Sequence, residues 1–146
     1  MQKFQISRKL AYKNIISTVK NKPQGEKMSY HITNKEFPSF IKDLPHADYT
    51  DDGGDDIQGY IAQAGDHQIV FNENEKEMEF TPHVHAQSFG VVLQGWCDLI
   101  IDGDSRRYHV GDTYHVPGGV QHYARQSANY KDIVIFNEKS RVPVLQ

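Results

Sequence analysis

The chain has 146 residues, 38% hydrophobic and 24% charged, with a net charge of −3 and a single cysteine, Cys97. That length suits one domain with its own core; no run approaches the roughly 18 apolar residues of a membrane helix, and one cysteine rules out an intrachain disulfide framework and fits a reducing, cytoplasmic setting. Charge is uneven: residues 1–27 sum to +6 and the remainder to −9, so the body of the protein is a poor surface for nucleic acid.

Residues 1–27 are basic and nearly free of acids, with apolar positions at Phe4, Ile6, Leu10, Ile15, Ile16 and Val19. Helical spacing is only partly met there, and Lys22-Pro23-Gln24-Gly25 breaks the segment. Three readings fit this stretch: a disordered or weakly helical extension, a start codon assigned too early with Met28 as the true first residue, or an organellar targeting peptide. The domain proper is expected over residues 28–146.

From Phe37 onward the pattern is strands separated by turns. Asp48, Asp51, Asp52, Asp55 and Asp56 surround Gly53-Gly54 in what reads as a solvated loop without EF-hand spacing. Strands are expected at 57–64 and 67–71 around a Gly65-Asp66 turn. A second turn is expected at 72–76, with strands at 77–85 and 87–94 meeting near Ala86. Trp96–Ile101 precedes Asp102-Gly103, a strong two-residue hairpin signal. Segments 106–110, 113–116, 121–125 and 132–136 complete the set. Eight or more short strands at about ten-residue spacing, with almost no helical pattern after residue 45, predict an all-β sandwich or barrel. Cys97, between Trp96 and Leu99, reads as a structural thiol on a strand.

His83-Val84-His85 places two imidazoles on one face of an extended segment, because alternate strand residues share a face. A third, His122, follows a Pro117-Gly118-Gly119 turn and meets the first two only if the sheet closes on itself. His31, His46, His67, His109 and His115 lack such support, although His115, two residues before Pro117, is placed to point into the barrel. Gly111, Pro117, Gly119 and His122 have the Gly-x5-Pro-x-Gly-x2-His spacing of the second cupin motif. Pro82, His83, His85 and Gly95 match the first. In these residues the chain resembles the cupin superfamily, over about residues 55–140. The resemblance implies a double-stranded β-helix, or jelly-roll barrel, a homodimer, and a small-molecule ligand or substrate.

The chain departs from the family at the acid of the first motif. Seven residues before Gly95 stands Ser88 rather than Glu, and Gln87 sits beside that slot. Some small cupins carry Gln there, so the resemblance implies a metal set of His83, His85, Gln87 and His122, with Ser88 or water as alternatives to Gln87. Neutral imidazoles suit Fe, Mn, Ni, Co, Cu or Zn alike, so the residues define a divalent transition metal without choosing it. Glu79 shares strand parity with His83 and His85 and is a candidate for the pocket, if the strand runs unbroken through Pro82. Tyr60, Phe89, Trp96, Tyr114, Tyr123 and Phe136 are candidates for its lining. Two functions are consistent with this: a metal-dependent enzyme of dioxygenase, isomerase or lyase type acting on a carboxylate- or carbonyl-bearing molecule, or a non-catalytic module that binds or senses one. The fold alone does not choose between them.

Overall fold

The computed structural model describes residues 36–51 and 56–146. The expectations for residues 1–27 and for residues 52–55 of the acidic loop, including Asp52 and Asp55, lie outside the described residues.

A single helical turn, α1 (Ser39–Lys42), starts behind Pro38. Nine strands follow: β1 (Ile57–Ala64), β2 (His67–Asn74), β3 (Met78–Glu79), β4 (Ser88–Gln94), β5 (Trp96–Ile101), β6 (Asp104–His109), β7 (Thr113–Val116), β8 (His122–Gln126) and β9 (Lys131–Phe136). Two antiparallel sheets result, one in the order β1-β2-β9-β4-β7 and the other β3-β8-β5-β6. The all-β architecture expected from the turn spacing, and the jelly roll that the resemblance implies, are what the described residues form. The Gly65-Asp66 and Asp102-Gly103 turns join hairpins β1–β2 and β5–β6 in full register.

Two expectations change. Strand β2 runs on to Asn74, so the turn begins later than residue 72. The strand expected over 77–85 is only two residues long, and beyond it Phe80 N–H donates to the Ala124 carbonyl and His83 bridges His122. Pro82 explains the interruption, since a proline cannot donate to the ladder.

The core lies between the sheets, where alternate strand residues point inward. One inward row runs across four strands: Val70 pairs with Val134, Val134 with Gly90, and Gly90 with Tyr114. Gly90 is required here by close approach, because a Cβ at this position would lie 2.2 Å from Cζ of Tyr114. The Tyr114 ring therefore crosses the sheet and carries its hydroxyl inward. Cys97 is buried, and burial pushes its thiol up to about 12, which makes it the inert structural thiol expected.

The C-terminal segment is fastened by a side chain. Gln68 donates from Nε2 to the Val142 carbonyl at 2.9 Å, and its Oε1 accepts from the Val142 N–H at 2.8 Å. This two-way clamp holds residues 141–142 against the barrel mouth.

Candidate metal centre and its cavity

His122 opens β8, and His83 faces it across a bridge in which each backbone N–H donates to the other's carbonyl, at 2.9 and 3.0 Å. His85 lies on the following loop, whose backbone is pinned from two sides. Its carbonyl accepts from Gly119 N–H at 3.0 Å, and Ala86 N–H donates to Glu138 Oε2 at 2.8 Å. Gly118 allows the turn to come this close, since a Cβ there would sit 3.0 Å from the Gln87 nitrogen.

The three rings share one arrangement. Nδ1 of His83 faces the Thr81 carbonyl at 2.7 Å, Nδ1 of His85 the Ala86 carbonyl at 2.5 Å, and Nδ1 of His122 the Val120 carbonyl at 2.8 Å. A carbonyl only accepts, so each proton belongs on Nδ1 and each Nε2 keeps its lone pair. The candidate ligand nitrogens lie within 4.8 Å of one another, and Nε2 of His85 is 2.9 Å from Nε2 of His122. Two lone pairs at that separation repel unless a proton or a metal ion lies between them. Burial, the largest cause, lowers His85 to about 4, and the His122 and Arg141 charges act in the same direction. Burial also lowers His122. Both rings are therefore neutral ligands at physiological pH, and the set fits a divalent metal.

The structure brings His83, His85 and His122 together and leaves Gln87 outside. Gln87 is exposed, with Oε1 3.2 Å from Nε2 of His115 on the outer side. Ser88 is buried and lines the cavity instead. His115 is exposed on β7 and does not enter the barrel. Glu79 is exposed too, because the break after β3 cancels the parity that linked it to the histidines, and Phe80 lines the cavity in its place. Of the six aromatic candidates, Tyr114 and Phe136 line the cavity; Phe89 is exposed on the opposite face.

The cavity has the histidines, Phe136 and Arg141 among its walls, and Asp132, Asn72 and Tyr49 among the rest. Residues 137–141, which leave the last strand, read from the sequence as a rim of an opening or a partner surface, and Arg141 among them lines the cavity; Asp132 reads only as the start of that strand. The Arg141 guanidinium stands 5.9 Å from the Phe136 ring. The Phe136 ring in turn meets His85 edge-on at 5.2 Å. Asp132 is 1% exposed and points inward from β9, on the same face as Val134 and Phe136.

With this geometry the comparisons with known proteins agree. Residues 67–131 match the family model described as a cupin domain. Residues 67–131 read as a cupin domain. The solved structure of KdgF from Halomonas sp. is 27% identical, with a TM-score of 0.54, covering 60% of this chain and 83% of that one. An RmlC-like cupin from Shewanella frigidimarina is 22% identical, with a TM-score of 0.59, covering 73% and 93%. A cupin superfamily protein from Desulfitobacterium hafniense is 17% identical, with a TM-score of 0.53, covering 56% and 77%. The last two share the fold. No curated protein matches the chain. Among the described residues of this cupin, no helix is long and apolar enough to cross a membrane.

Proposed function

We propose that this cupin holds one divalent transition metal on His83, His85 and His122 and binds a small carboxylate-bearing molecule beside it. The observation that carries the reading is the shared orientation of the three rings, each with Nδ1 turned to a carbonyl and with candidate ligand atoms within 4.8 Å of one another. Three neutral ligands leave the ion its full positive charge, so a bound metal would supply Lewis acidity towards an anion. Arg141, held at the mouth by the Gln68–Val142 clamp, adds a second positive charge to the same cavity. Its fork of donors suits a carboxylate. Gln87 is no part of this set as long as it faces His115, and the remaining positions on the ion fall to water or ligand.

A non-catalytic binding module is the second reading. It is favoured by the engagement of the one fully buried acid of the cavity, Asp132, with three donors of the protein itself. The single buried, unreactive cysteine accords with a cytoplasmic location. An apolar outer sheet face accords with a homodimer.

Elemental analysis of protein purified without a His tag tests the metal reading. Wild type and Gln87→Ala are expected to carry about one equivalent of metal, and His83→Ala and His122→Ala to lose it. Arg141→Gln is expected to keep the metal and lose affinity for small carboxylates. Metal retained in either histidine variant would overturn the reading.

A further inference from the structure

We infer that an anion entering this cavity is taken up together with one proton, and that Asp132 is the group that receives it. The inference rests on the anionic-ligand reading above and assigns the residue that sorts ligands by charge. Asp132 shares the cavity with the histidines and Arg141, yet all the donors that hold it are neutral. Oδ1 accepts from Asn72 Nδ2 at 2.9 Å, and Oδ2 accepts from the hydroxyls of Tyr114 and Tyr130, each at 2.9 Å. Tyr49 extends the network by donating to Asn72 Oδ1 at 2.6 Å. A carboxylate has about four acceptor positions, so one remains.

The titratable groups packed around Asp132 do not compete for the proton. Tyr114 on β7, Tyr130 before β9 and Cys97 on β5 are all pushed upward, by burial first, and stay neutral. Across the cavity stand His83, His85, His122 and Arg141. Burial raises the Asp132 carboxyl to about 6, against the lowering effect of its three hydrogen bonds. It is thus a carboxylate near neutrality, in reach of titration without unfolding.

A second negative charge in the same low-dielectric space raises that midpoint further. Near neutral pH the free protein carries Asp132 largely ionised, and the anion shifts it toward its protonated form. Since the bound state holds the extra proton, affinity for the anion falls as pH rises above the free-state midpoint, by up to tenfold per pH unit. A bound metal would draw the free and bound midpoints down alike, so the direction of uptake is unchanged.

The test is calorimetry of malonate binding to the full-length, metal-loaded protein, in two buffers of different ionisation enthalpy, between pH 5 and 8. Wild type is expected to take up as much as one proton per malonate, and Asp132→Asn close to none, with affinity that no longer falls with pH. Tyr114→Phe removes a donor to the charged form while keeping the carboxylate, so the fall in affinity is expected to begin at higher pH. Malonate binding without proton uptake, or uptake unchanged in Asp132→Asn, overturns the inference and leaves the anion reading standing. If Asp132→Asn does not fold, an unmoved pH profile in Tyr114→Phe overturns it. Absence of malonate binding at every pH overturns the anion reading and this inference with it.

Discussion

His85 is held in place by groups that lie far from it in the chain. Glu138 is the most telling of them: its carboxylate accepts the Ala86 N–H at 2.8 Å, immediately beside the ring. Removing that acceptor in Glu138→Ala frees a backbone donor and lets the His85 loop relax. Partners of metal ligands usually matter about 10- to 100-fold in metal affinity. A weakening of about tenfold is expected for Glu138→Ala in competition with a chelator, with most of it restored by Glu138→Gln, whose amide oxygen still accepts. The three histidines were legible from spacing, because two-residue spacing and a turn-borne partner are rules of extended chain. Gln87 was legible in kind but not in direction, since alternation stops where the strand stops. Asp132 had a usable signal, a lone acid in an otherwise apolar run whose inward positions it shares with Val134 and Phe136. Arg141 had a coarse one, a polar segment leaving the last strand that could rim an opening, while the clamp from Gln68 to the neighbouring Val142 is long-range and left no local mark.

Among the elements, the meeting of β4 and β7 shows how sequence and packing agree. Gly90 and Tyr114 are register partners, and the ring fills the space a side chain on Gly90 would need. Gly90→Ala must displace the ring from Asp132 or bend β4. A loss of about 1–3 kcal/mol is expected from such overpacking, measurable by urea unfolding, together with weaker protection of the Tyr114 hydroxyl from solvent. Strands bounded by Gly-Asp and Asp-Gly turns were readable because turn residues act locally. The region from Phe80 to Gln87 was not, because its conformation is set by the turn at 117–119 and by residues 137–138, which reach it only in the folded barrel.

At the scale of the molecule, the outer side of the five-stranded sheet remains apolar. Ile69, Ile135 and Phe89 are register neighbours across β2, β9 and β4, with Phe89 48% and Ile135 40% exposed. Phe71, Ile133 and Val91 form the next row, and Phe37 packs edge-on against Phe71 at one end. A homodimer through this face is expected to sediment at twice the chain mass at micromolar concentration. Phe89→Asp is expected to shift it to monomer, a loss of about 2 kcal/mol or more of association energy if Phe89 anchors the contact. Alternation along β4 made the direction of Phe89 readable, whereas a partner surface leaves no local mark in the chain. The mutual backbone bonds of His83 and His122 have one more consequence. Small metal domains commonly fold only when their ion arrives; here peptide groups tie the two segments together by themselves. The proposed socket would then stand before its ion arrives, and exchange of that ion under native conditions is the expected consequence.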